Sequence, residues 1–128
     1  MRARRCTTGM LLVVLVLLAA ACAATTAVGK AKEGLLYDRE VAIALMAEGV
    51  KLHAAKTLSD ANYAKLTDAY TKYAAAHNAA VAAIQVVQAT NATGGTVMTK
   101  MQNSLAASSG LLSEFLTVAT AFGLTLAQ

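Results

Sequence analysis

The sequence predicts an all-α protein: an antiparallel helical hairpin or three-helix bundle with heptad-like seams, preceded by a signal peptide. Three observations carry this. The 128 residues contain no proline, which favours long uninterrupted helices. Apolar residues past position 34 recur at alternating steps of three and four, the spacing of one helix face. Two short clusters of turn-forming residues, at Thr57-Leu58-Ser59-Asp60 and Asn91-Ala92-Thr93-Gly94-Gly95, divide the periodic stretch into three.

The start of the chain is organised differently. Met1-Arg-Ala-Arg-Arg5 is basic, Met10 to Ala21 is apolar, and small residues follow. A positive start, a short apolar core and a small-residue exit are the parts of a secretory signal. Residues 1–21 are therefore expected to be a signal peptide. The apolar run is short for a membrane span, which needs about 20 residues.

Ala19-Ala20-Ala21-Cys22 resembles the lipobox of bacterial lipoproteins. That resemblance covers residues 1–22 alone and departs from the usual pattern at Ala19, where Leu is most common. It implies cleavage before Cys22 and lipidation of that residue. Ala23, in place of a retention-type Asp, implies sorting to the outer membrane. Two other readings of the same stretch are ordinary cleavage nearby and an uncleaved anchor from Gly9 to Val28. Residues 22–33 then read as a flexible tether of small residues, Gly29 and two lysines.

Removing the signal changes the charge balance. The formal net charge is +4, with eleven basic and seven acidic residues. Arg2, Arg4 and Arg5 belong to the signal, so the remainder is close to neutral. No basic stripe is left, and a nucleic-acid partner is not expected. Of the two cysteines, Cys6 lies inside the signal and Cys22 at its edge. If cleavage falls just before Cys22, the mature domain has no thiol free for redox chemistry, an internal disulfide or a metal.

The helical domain is expected over 34–127, with helices at about 34–57, 59–90 and 96–127. In the first, Leu36, Ile43 and Val50 recur every seven residues with Met46 and His53 alongside, and this is the expected buried face. Gly49 is a mild cost within it. Ser59 is a good N-cap for the second helix, with Leu58 and Tyr63 placed as a hydrophobic staple. The second seam is Tyr63, Leu66, Tyr70, Tyr73, His77, Ala80, Ile84, Val87. The third is Met98, Met101, Leu105, Ser108, Leu112, Phe115, Ala119, Phe122, Leu126. Centring the second hairpin on Thr93 sets Leu105 opposite Val81 and Leu112 opposite Ala74.

Reactive chemistry is sparse. A hairpin about Ser59 sets His53 and His77 about 18 Å apart in height, too far for one metal. Asp38 and Glu40 do not share a helix face. Glu114 is the only charge after Lys100 and is expected on a solvated face. Ser104, Ser108, Ser109 and Ser113 have no evident base beside them. No phosphate loop or metal-ligand spacing occurs, so no catalytic residue, metal or cofactor is expected. Tyr63, Tyr70 and Tyr73 are expected to pack in the seam rather than to form a ligand patch.

Two function classes follow. The first is an exported, membrane-tethered helical lipoprotein that acts by protein–protein contact or as a structural envelope component. It would be held by lipid on Cys22, facing the periplasm from the outer membrane, or otherwise be periplasmic or secreted. Its partner would be a second copy or another envelope protein. The major Ala-rich outer-membrane lipoproteins are similar in anchor and heptads, but they end in a Lys joined to peptidoglycan, whereas this chain ends in Gln128. The second class is a membrane-active protein of the lysis or pore-forming type. It is motivated by the absence of charge from Tyr73 to Thr99 and its near-absence from Met101 to Gln128.

Overall fold

The structure is a computed structural model that describes the backbone of residues 4–126 and the side chains of residues 26–126. The expected signal at 1–21 and the lipidation residue Cys22 lie outside the residues whose side chains are described. Three helices follow one another: α1 (Arg4–Ala54), α2 (Asp60–Thr90) and α3 (Gly95–Ala121). They form an all-α three-helix bundle. The α2–α3 hairpin is the most extensively packed pair, and α1 lies across it, mostly against α2.

Each break has a local cause. After Ala54 the chain reverses with Lys56 in the left-handed region at φ 61°. Lys56 N–H donates to the His53 carbonyl and Thr57 N–H to the Leu52 carbonyl, the paired bonds of a Schellman cap. Ser59, extended at φ −66°, ψ 156°, then caps α2 by accepting from the Asn62 amide at 3.2 Å. This satisfies one of the amides a helix start leaves open. His53 locks the turn from the other side. Its Nε2 donates to Asp60 Oδ1 at 2.7 Å, and its ring stacks on Tyr63 with centroids 4.1 Å apart.

The α2–α3 turn also falls where the glycines predict it. Asn91 ends α2 in a left-handed conformation, which its short polar side chain tolerates, and Gly95 opens α3 at φ 74°.

The seam expected of α2 is the seam found. Leu66, Tyr73, His77, Ala80, Ile84 and Val87 are buried, and Tyr63 and Tyr70 pack against the core. The α3 seam holds from Met101 through Ala119. Val81 and Leu105 join the same cluster, as the centring on Thr93 requires.

Three expectations are corrected. First, α1 does not start at Gly34. Residues 26–33 are helical, and Val28 and Ala31 pack with Leu35, Ala80, Ile84, Val87 and Met101. This part of the expected tether belongs to the bundle. Second, the buried face of α1 is one residue out of phase with the expected one. Leu36, Ile43 and Val50 are 60%, 45% and 47% exposed, while Leu35, Ala42 and Leu45 are 6% or less. Third, α3 stops at Ala121 rather than near 127. Gly123 at φ 77° closes a second Schellman cap, with Gly123 N–H donating to the Thr120 carbonyl and Leu124 N–H to that of Ala119. Leu124 is thereby buried in place of Leu126, which stays 45% exposed.

The phase of α1 follows from how closely it approaches α2. Its inward stripe is Val28, Ala31, Leu35, Asp38, Ala42, Leu45, Gly49, Leu52, again in steps of three and four. Gly49 sits directly against Leu66, so that a Cβ built on Gly49 would collide with Leu66 Cδ2. The small residues let the two backbones come together, and the bulkier side chains of α1 are left outside.

Candidate functional site

The apolar core is not continuous along the bundle. One cluster, at the end bearing the α1–α2 turn, contains Ala42, Leu45, Leu66, Tyr73, Leu112, Phe115 and Leu124. The other contains Val28, Leu35, Ala80, Ile84, Val87 and Met101. Between them each helix contributes a polar residue to its inward stripe: Asp38 from α1, His77 from α2 and Ser108 from α3.

Helix register brings the three to one height. Gly49 faces Leu66 across α1 and α2, and three steps of alternating four and three residues along each helix, in opposite chain directions, stand Asp38 and His77. The rings of Tyr70 and Phe115 meet edge-on across α2 and α3 at 5.7 Å. Two turns on from each, in opposite chain directions, are His77 and Ser108.

The electrostatics of this layer follow from burial. The His77 pKa is lowered, first by desolvation and then by the Arg39 charge, against the opposing pull of Asp38. Burial raises the Asp38 carboxyl above its ordinary range, partly offset by His77. The Tyr73 phenol is pushed up to about 12, mainly by burial and then by Asp38. Tyr73 Oη and His77 Nδ1 share a hydrogen bond of 3.2 Å, and a neutral imidazole can accept the phenolic proton there. Ser108, 1% exposed, has no hydrogen-bond partner for its Oγ among the described residues. A serine, a histidine and a carboxylate thus occur at one level, but the serine hydroxyl is not bonded to the imidazole. The relay that would activate the hydroxyl as a nucleophile is not assembled.

A cleft opens beside the layer, between α1 and α2, with a volume of about 320 Å³. Leu35, Leu36, Val81 and Ile84 line it with apolar surface, and His77, Lys32, Arg39, Gln85 and Gln88 supply its polar groups. Neither Lys32 nor Arg39 has an ion-pair partner among the described residues; the ion pairs there join Glu48 to Lys51, Asp60 to His53 and Asp68 to Lys72.

The residues considered from sequence are therefore distributed widely. His53 lies in the last turn of α1 and His77 in the middle of α2. Counted along α2 from Tyr63, the residue His53 stacks on, they are about 21 Å apart. No group of three or more His, Cys, Asp or Glu side chains among the described residues converges as a metal site. Tyr70 and Tyr73 pack in the seam, while Tyr63 stacks on His53. Glu114 and Ser113 are exposed. The cleft itself is not apparent from sequence, because Lys32 falls in the expected tether and the conspicuous heptad of α1 lies one residue away from its inward stripe. Lys32 and Arg39, seven residues apart on one helix face, are the signal that could have revealed it.

Comparisons with known proteins return no match: no family model, no curated protein and no solved structure matches the chain. Among the described residues, no helix is long and apolar enough to cross a membrane.

Proposed function

We propose that the chain is an exported, membrane-tethered helical lipoprotein of the bacterial cell envelope. Lipid on Cys22 would hold it at the outer membrane facing the periplasm, and it would work by protein–protein contact. The observation that supports contact is the uncovered stripe Leu36, Ile43 and Val50, with Tyr37 beside it at 66% exposure. Large apolar side chains repeated every seven residues on a solvent face are what a helix offers to another helix. The tether is supported by the sequence Ala19-Ala20-Ala21-Cys22 after a basic start and an apolar core. Two or more acyl chains make membrane attachment stable.

Two measurements on the full chain, expressed with its own leader in a bacterium, test the two halves. Intact mass should show a protein beginning at Cys22 and carrying acyl chains; a lipid-free mass beginning later overturns the tether. A photo-crosslinking residue at Ile43 or Val50 should give a discrete adduct in native envelopes, absent when the same residue is placed at exposed Gln102 on α3. Equal labelling at all three positions overturns contact through α1.

A further inference from the structure

The cleft between α1 and α2 has the chemistry of a ligand site. Its volume, about 320 Å³, falls at the lower end of the range for small-molecule pockets, roughly 300–1,000 Å³. Its lining is mixed in the way such pockets are, an apolar floor with a few polar groups at the edge. The floor is Leu35, Val81 and Ile84, where Leu35 and Ile84 also belong to the core and hold the surface in place.

The charges at its edge have one sign. Lys32 and Arg39 line the cleft and no carboxylate does. Both cations stand on the same face of α1, two turns or about 10.5 Å apart, and both carry long flexible stems that can turn towards one headgroup. An arginine left without a carboxylate partner offers a planar fork of donors suited to a carboxylate. Gln85 and Gln88, on the opposite wall, add amide donors. An uncharged apolar ligand would leave these cations unused, and a cationic one would be repelled.

We propose that this cleft binds a single-chain carboxylate amphiphile, its headgroup met by Lys32 and Arg39 and its apolar chain laid along Leu35, Val81 and Ile84. The site is independent of lipidation at Cys22; it shares Leu36 with the exposed stripe of α1, and the two readings are told apart because Ile43 and Val50, where contact is assayed, do not line the cleft.

The test uses the full chain in phosphatidylcholine nanodiscs, with isotope-labelled Ile, Leu and Val methyl groups read by NMR during titration with octanoate, octanol and octyltrimethylammonium. Octanoate should give saturable shifts at Ile84, Val81 and Leu35, and the two other compounds should not. In Lys32→Glu/Arg39→Glu, both exposed positions, the apparent Kd for octanoate should rise by about tenfold or more, the scale of one lost charged contact. Equal shifts with octanol, or an unchanged Kd in the double variant, overturn the proposal by showing apolar partitioning alone. The same shifts produced by phosphatidylglycerol in the disc, with no octanoate added, overturn it in favour of a membrane lipid.

Discussion

The Ser108 hydroxyl is desolvated without receiving a hydrogen bond in return. A buried polar group left in that state costs about 1–3 kcal/mol, and alanine is also the better helix former. Ser108→Ala is therefore expected to stabilise the bundle by about 1 kcal/mol, seen as a higher urea midpoint with an unchanged slope. His77, in the same layer, makes stability depend on pH. Its ordinary value is 6.5, and in the fold it lies lower. As the pH falls through that ordinary value, the unfolded chain takes up the proton before the folded chain does. The unfolded state then binds more protons, and stability declines on acidification. Asp38 has the opposite sign: its carboxyl is raised above 3.8, so the folded chain is protonated first and gains stability at still lower pH. Urea titrations of the wild type and His77→Gln should therefore diverge as the pH falls below about 6.5. The wild type should lose stability that the variant does not lose; parallel curves would remove His77 as the cause.

At the scale of the helix, Gly49 reverses the usual rule. Alanine gains about 1 kcal/mol over glycine in a helix interior, so Gly49→Ala read from sequence alone would stabilise. Here the added methyl meets Leu66, a fully buried side chain with little room to retreat. Overpacking of this kind costs about 1–3 kcal/mol, and thermal unfolding should show Gly49→Ala with a lowered Tm. The same small residues explain which elements could be read in advance. The seams of α2 and α3 are marked by bulky residues, and their ends by Ser59 and by the Asn91–Gly95 turn, so periodicity and capping chemistry located both. In α1 the inward stripe carries Ala42 and Gly49, which hydrophobic pattern weighs little, while Leu36, Ile43 and Val50 form the more conspicuous heptad on the wrong side. The end of α3 is hard to read from sequence because Gly123 alone marks it and the apolar residues run on past it. The cleft could not be placed until the phase of α1 was known.

For the molecule as a whole, the low charge of α2 and α3 fits helices that bury side chains on both neighbouring faces. Their seam residues are occupied by each other and by α1, and neither helix is apolar enough to cross a membrane. Most of the exposed large apolar side chains among the described residues, Leu36, Tyr37, Ile43 and Val50, are on α1, with Val86 of α2 and Leu126 standing apart from them. Ile43 and Leu45 are two residues apart with opposite surroundings, one 45% and the other 4% exposed. Ile43→Glu should leave unfolding within about 0.5 kcal/mol of wild type, as surface changes do. Leu45→Glu should cost about 3 kcal/mol or more by desolvating an unpaired acid. Circular dichroism melts of the two variants check both, and a large loss in Ile43→Glu would mean that α1 is turned the other way.

The polar layer of Asp38, His77 and Ser108 has a consequence for alignment. Two helices whose apolar seams repeat every seven residues can slide past each other by one repeat and still pair apolar with apolar. Moving α3 by one heptad would either carry Ser108 to the height of Tyr70 and leave His77 facing Met101, or carry Ser108 to Ile84 and leave His77 facing Phe115. The polar residues would then be divided between two levels, each desolvated among hydrocarbon. A single polar level thus acts as an index mark that distinguishes one docking of the helices from its near-copies, at some cost in stability.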